Sequence, residues 1–341
     1  MRTVAVARVP SDKASEIIPV LREKGILDPS ARISGGDGFR LVPIVPGKED
    51  EVRSMGLGIG EAPAYSESSR PPMEHIRECL KGMSSGHLAL LPGKWEIAGD
   101  VVTLKMDPVL YPEGREIGKA YAEALEVSTV YADISGVAGE FRLPDMKLLF
   151  GEPRLSVKTE NGIVYEYDVT KVMFASGNLA ERKRMEALDC RGETVVDMFA
   201  GIGYFTLPLA KFSGARRVFA CEKNPDSYGF LVNNVRRNGV EDVVIPILAD
   251  NRSLCGTAFA DRILMGYVQT TSEFVPYALR MAKPGCIIHY HDTFPVGKER
   301  EMTEDIFRKA CGERGFEILV LREVKSFAPS VSHYVADIRV D

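Results

Sequence analysis

No apolar run in this chain of 341 residues approaches the roughly 20 that a helix needs to cross a bilayer. The first residues, Met1-Arg2-Thr3-Val4-Ala5-Val6, lack the longer apolar stretch and cleavage site of a secretory signal. Cysteine is sparse and scattered: Cys79, Cys190, Cys221, Cys255, Cys286 and Cys311 form no C-x-x-C pair. That argues against a disulfide framework and a zinc ribbon, and no metal is expected. A reducing, cytoplasmic location and a monomer with no membrane contact are expected. Internal repeats and low-complexity tracts are absent. So is an excess of positive charge, since the formal net charge is −5. Bulk basicity therefore cannot hold the chain on nucleic acid, although a local patch can.

The acidity is confined to one half. Residues 1–171 carry 21 Lys/Arg against 26 Asp/Glu, whereas residues 172–341 carry 22 of each. Texture changes along the chain in the same sense. Residues 3–9 alternate like a short strand. A helical spacing over 15–24 ends at Gly25 and holds Pro19, which is tolerable only in a first turn, so a late start is expected. Residues 61–73 read as a linker rich in Pro and Ser. From 87 to 170 the pattern is short strands with one helix at 116–125. Strands are expected at 88–95 and 101–104, and Asn161-Gly162 marks a type I′ hairpin. Beyond 179, strands and helices alternate, which predicts a mostly parallel sheet with helices on both faces. The expected organisation is a small α+β unit with its linker (1–80), an α+β region (81–172) and a Rossmann-like α/β domain (173–341).

The sharpest signal is Val195-Val196-Asp197-Met198-Phe199-Ala200-Gly201-Ile202-Gly203. A buried strand ends in an acid and enters a Gly-rich turn that opens a helix. Glu222 follows at the end of the next strand, where a carboxylate can accept from both hydroxyls of a ribose. A dinucleotide fingerprint would place a third Gly or Ala at Thr206, and Asp197 is unfavourable beside a pyrophosphate. S-adenosylmethionine (SAM), with its sulfonium and amino group, suits an acid there better; a degenerate site is the remaining alternative. Asp250-Asn251 follows the third strand and would border the adenine, although Asp and Asn are also favoured helix caps.

These residues, together with Met173-Phe174-Ala175-Ser176-Gly177-Asn178-Leu179-Ala180-Glu181-Arg182-Lys183-Arg184-Met185, Met265-Gly266-Tyr267-Val268 and Ile288-His289-Tyr290-His291-Asp292, resemble the archaeal wyosine-pathway aminocarboxypropyltransferases. That family is related to the tRNA (guanine-37-N1)-methyltransferases. The resemblance implies a class I SAM fold, SAM as group donor, and transfer of its 3-amino-3-carboxypropyl group to 4-demethylwyosine at position 37 of phenylalanine tRNA. It implies contact with the anticodon stem-loop. It favours Ser176 and Lys183 as holders of the SAM carboxylate and leaves Arg182 and Arg184 for tRNA phosphates.

The methyltransferase relatives carry Asn-Pro-Pro at the end of the fourth strand, where a polar side chain holds the target nitrogen. Met265-Gly266-Tyr267 has no such acceptor, as suits a carbon nucleophile. SAM has three carbons on one S⁺, and the one aligned with the nucleophile reacts, so placement of its methionine moiety decides the product. Tyr267 is a candidate to stack on the modified base, and His291 to hydrogen-bond at the substrate mouth. The alternatives are a tRNA (guanine-37-N1)-methyltransferase and a non-catalytic tRNA-binding protein of the same fold.

Overall fold

The computed structural model describes residues 3–29, 31, 33–36, 38–63, 71–139, 141–174 and 176–341, which form two compact units, Met1–His75 and Ile76–Asp341. In the first unit the elements are β1 (Thr3–Pro10), α1 (Ala14–Glu23), β2 (Ser34–Gly36), β3 (Phe39–Pro43), α2 (Glu49–Ser54) and β4 (Gly58–Pro63). The sheet order is β2-β3-β1-β4. Val9, Leu21, Ile26, Val42, Ile44 and Val52 form its core. α1 keeps Pro19 in its interior rather than starting late. Burial of Leu21 against the sheet outweighs the lost backbone hydrogen bond there. Of the expected linker, 61–63 belong to β4 and 72–73 to the next helix, while 64–70 lie outside the described residues.

The next stretch holds α3 (Pro72–Cys79), α4 (Ser85–Ala89), β5 (Trp95–Ala98), β6 (Val101–Lys105), α5 (Gly114–Leu125), β7 (Thr129–Ala138) and β8 (Leu143–Phe150). The strand expected at 88–95 is instead mostly helix and turn. Ser84 caps α4 by accepting from the His87 backbone N–H, so the apolar run begins on a helix. Strands β5 to β8 form one four-stranded sheet in sequence order.

A hairpin, β9 (Ser156–Glu160) and β10 (Ile163–Tyr167), turns at Asn161-Gly162, whose φ values of 50° and 78° are those of a type I′ turn. The remainder is α6 (Leu179–Ala187), β11 (Thr194–Asp197), α7 (Thr206–Phe212), β12 (Arg217–Glu222), α8 (Pro225–Arg237), β13 (Val244–Leu248), β14 (Ala260–Met265), α9 (Val275–Met281), β15 (Ala282–Pro295), α10 (Glu299–Cys311), β16 (Phe316–Ala328) and β17 (Val331–Val340). The hairpin is bound to α8. Asn234 accepts from the Glu166 N–H, and Asn238 accepts from the Val164 N–H.

Seven strands form the large sheet in the order β13-β12-β11-β14-β15-β17-β16. The first five run parallel, and β17 pairs antiparallel with both β15 and β16. Adjacent residues of β11 serve opposite cores: Val195 packs with Leu207, Val218 and Leu231, and Val196 with Ile263, Ile288 and Ile338. A strand covered on both faces must be apolar throughout, which is why it reads as a continuous run. Strand order reverses between β11 and β14, and that break opens a crevice at the carboxyl ends of the strands.

Candidate active site

The crevice is a cavity of about 900 Å³ lined by the small sheet, the hairpin, the turn after β11 and the ends of β12, β14, β15, β16 and β17. Its architecture begins at Asp197. This side chain is 1% exposed and has both oxygens engaged, accepting from the Phe199 N–H at 3.1 Å and from the Thr206 hydroxyl at 2.7 Å. Burial and the charge of Glu222 push its carboxyl up to about 6, opposed by these hydrogen bonds. Asp197 therefore builds the turn from behind and is not among the cavity-lining residues. Thr206 stands at the third position of the dinucleotide pattern because its hydroxyl closes this turn.

The two glycines are required by geometry. Gly201 and Gly203 have φ of 57° and 101°, and a Cβ on either would come within 2.6 Å of Tyr204 or Leu207. The Gly201 N–H donates to Glu222 Oε2 at 2.8 Å, and the Asn224 N–H donates to Oε1 at 2.7 Å. Glu222 is thus clamped at the end of β12, where it lines the cavity. Burial raises its carboxyl, and the backbone donors work against that rise.

Asp250 accepts from the Arg252 backbone and guanidinium and pairs with Lys223 at 3.1 Å, so its carboxyl lies well below the ordinary carboxylate range. It caps the turn and lines the cavity. Asn251 donates to the Met198 carbonyl at 2.8 Å, while its Oδ1 is buried without a partner among the described residues. Asn178 Oδ1 and Asn224 Nδ2 are in the same condition, and all three residues line the cavity. Buried polar atoms without partners are costly. Polar side chains so concentrated around one crevice suit a polar ligand such as an adenosyl amino acid.

The walls are aromatic. Phe199 and Tyr267 stack at 5.1 Å with planes 15° apart, and Phe274 meets Phe199 edge-on. His291 is 1% exposed, stacks on Phe205 at 5.3 Å, and shares a 3.0 Å hydrogen bond with His333. Gly266 makes room for that stack, since a Cβ there would stand 2.7 Å from the Phe205 ring. His289 faces a different setting. It is hydrogen-bonded to Asp337 at 2.6 Å and to Arg262 at 2.8 Å, a network that ties β15 to its neighbours β17 and β14.

The basic cluster departs from expectation. Arg182 is 1% exposed, clamps Glu160 through two hydrogen bonds and lies over the Phe174 ring. Arg184 binds Asp337 at 3.0 Å and Glu181 at 3.1 Å. Both guanidiniums are engaged inside the protein, so neither is presented for a phosphate. Lys183, next along the helix, is exposed and outside the cavity-lining set. Ser176 opens the turn Ser176–Asn178 that enters α6; its side chain lies outside the described residues. Arg142, Phe174, Tyr204, Phe205, Lys325 and His333 also line the cavity. Of these, Phe174 lies in the 173–185 segment that carries the family resemblance, and Tyr204 and Phe205 follow directly on the Gly-rich turn, whereas Arg142, Lys325 and His333 sit in elements where the sequence showed no such motif.

A Gly-rich turn between a buried strand and a helix, an acid at the end of the next strand and Asp-Asn after the third define a Rossmann-like, SAM-dependent transferase domain. Comparison with known proteins agrees. Residues 156–319 match the TRM5/TYW2 methyltransferase domain model, and residues 76–154 match the TYW2 N-terminal domain model. The chain belongs to the TRM5/TYW2 family. It is 44% identical over 268 residues to the tRNA(Phe) (4-demethylwyosine(37)-C(7)) aminocarboxypropyltransferase of Pyrococcus horikoshii, covering 78% of this chain and 96% of that one. The structure of P. horikoshii TYW2 in complex with MeSAdo superposes with a TM-score of 0.70 at 42% identity, covering 79% and 98% of the two chains. Trm5b of Pyrococcus abyssi superposes with a TM-score of 0.69 at 31% identity and covers 99% of both.

Proposed function

We propose that the protein transfers the 3-amino-3-carboxypropyl group of SAM to C7 of 4-demethylwyosine at position 37 of tRNA(Phe), releasing methylthioadenosine. The observation that carries this reading is the end of β14. Met265 is fully buried, Gly266 yields its space to Phe205, and Tyr267 stacks on Phe199, so this segment offers no carboxamide or carboxylate side chain to hold a ring nitrogen. A carbon nucleophile needs none. Similarity to relatives named for this activity supports the same conclusion.

In this reading Glu222 holds the ribose, Asp250 and Asn251 border the adenine, and Phe199 with Gly201 contacts the nucleoside, while Asp197 and Gly203 shape the turn beneath it. Ser176 and Lys183 are proposed for the carboxylate. Tyr267 supplies a stacking face for the tricyclic base. The protein's contribution is positional: the carboxypropyl carbon, rather than the methyl, must stand in line with the nucleophile. Residues 81–172 are proposed to position the anticodon stem-loop and 173–341 to carry the chemistry, in a cytoplasmic monomer.

One observation favours methyl transfer as a second reading: Trm5b matches the chain over nearly its whole length. Incubation with tRNA bearing 4-demethylwyosine and SAM labelled separately in its methyl or carboxypropyl carbons separates the two. Carboxypropyl label in RNA together with methylthioadenosine is expected. Methyl label in RNA with S-adenosylhomocysteine would overturn the reading.

A further inference from the structure

Alkylation of a ring carbon leaves a hydrogen to be removed. As the new C–C bond forms, the C–S bond breaks and its electron pair goes to sulfur, leaving neutral methylthioadenosine. The alkylated ring then carries both the new substituent and its original hydrogen, with a positive charge spread over the tricycle. Loss of that hydrogen as a proton restores the aromatic system, so a base must stand at the cavity.

Two imidazoles from neighbouring strands meet there. His291 on β15 and His333 on β17 both line the cavity, with His291 Nδ1 3.0 Å from His333 Nε2. Only one hydrogen occupies that contact. Glu181 Oε2 lies 4.0 Å from His291 Nε2 and favours a hydrogen on that nitrogen. His291 Nδ1 is then the acceptor, and His333 donates to it from Nε2. This leaves His333 Nδ1 as a lone pair without a hydrogen-bond partner among the described residues. The stack of Phe205 on His291 fixes the plane of the inner ring. Glu181 is itself held by Arg184 at 3.1 Å and Arg322 at 2.6 Å.

We propose that His333 is the catalytic base that removes the hydrogen from the alkylated carbon, and that His291, backed by Glu181, is the positioning residue that orients it and stabilises its protonated form. The inference rests on the carbon-transfer reading above. The order carboxylate, imidazole, imidazole extends by one ring the carboxylate–imidazole pairing that recurrently orients a base. The surroundings keep both rings neutral and ready to accept: burial and Lys325 push His333 down to about 4, and burial, His333, Arg184, His289 and Arg322 push His291 below its ordinary value. The proton passes to His333 Nδ1 and leaves to solvent after product release.

The test uses the full-length protein, SAM, and tRNA carrying 4-demethylwyosine with hydrogen or deuterium at the accepting carbon. For the wild type, transfer insensitive to deuterium is expected, because C–C bond formation limits it. His333→Asn should lower transfer by about 10²- to 10⁴-fold and expose a deuterium effect. His333→Ala should regain activity with added imidazole, and His291→Asn should show a smaller loss with the same isotope signature. SAM and methylthioadenosine affinities and thermal melts should stay near wild type, which separates lost chemistry from lost fold. Transfer by His333→Asn within about threefold of wild type, or a slow variant with neither isotope effect nor imidazole rescue, would overturn the proposal. Release of S-adenosylhomocysteine by the wild type would instead overturn the reading on which it rests.

Discussion

Replacing Glu222 by glutamine tests whether the clamp on this side chain is a ribose site. Each carboxylate oxygen already accepts one backbone N–H, from Gly201 at 2.8 Å and from Asn224 at 2.7 Å. An amide offers one acceptor oxygen, so its NH₂ must face one of these donors or the side chain must leave the clamp. A hydrogen bond to an ionised group contributes about 1.5–3 kcal/mol, and its loss leaves a buried donor unpaired. At 1.4 kcal/mol per factor of ten, SAM affinity should fall about 10- to 100-fold. The part of the cost that falls on the empty turn will appear as a lowered melting temperature. Isothermal calorimetry should show SAM and methylthioadenosine weakened in parallel, because they share the ribose and differ in the methionine tail. Methylthioadenosine affinity within twofold of wild type, or a loss confined to SAM, would refute the assignment.

Gly266→Ala places a Cβ 2.7 Å from the Phe205 ring, so chemical denaturation should show a loss of about 1–3 kcal/mol, and transfer should fall as the stack on His291 shifts. Arg182→Met strands the Glu160 carboxylate, which is 12% exposed, and should cost about 3–5 kcal/mol in urea unfolding; the double variant Arg182→Met/Glu160→Leu should recover much of it. Had Arg182 contacted phosphate, the single change would instead reduce the salt dependence of tRNA binding, which gel-shift titration measures. His289 and His333 are pushed down to about 4 by burial, below their unfolded value near 6.5. The unfolded chain therefore binds more protons between those pH values, and stability present above pH 6.5 is lost as pH falls through the window, by roughly 3 kcal/mol for each at pH 4. Asp197, raised to about 6, opposes this from pH 6 downward, so Asp197→Asn should steepen the acid loss measured by unfolding at stepped pH.

Much of the fold is legible in local pattern. The β11 turn, Glu222 and Asp250-Asn251 are readable because tight turns and caps at the ends of consecutive βα units demand particular residue types at fixed offsets. The Asn161-Gly162 hairpin is readable because its turn needs positive φ at both positions. Two expectations failed through context. The run at 88–95 looks like a strand until Ser84 is recognised as a helix cap. Pro19 marks a boundary by propensity, yet packing carries α1 through it.

Charge was the least readable property. In sequence, Arg182 and Arg184 form a basic cluster for RNA, whereas in the fold each guanidinium meets a carboxylate distant along the chain, Glu160 and Asp337. The pairing of His291 with His333 is equally invisible, because it depends on two strands 42 positions apart lying side by side.

The amino-acid sequence by itself determined the class of fold, the Gly-rich turn after β11 and the absence of a carboxamide or carboxylate at Met265-Gly266-Tyr267. These follow from steric and hydrogen-bonding rules that act over a few residues. Only the tertiary structure decided which charges are spent internally, that Asp197 shapes the turn without reaching the cavity, and which imidazoles share a hydrogen. The reason is physical: ion pairs and proton positions depend on distance and burial between segments, and neither is defined until the chain has folded.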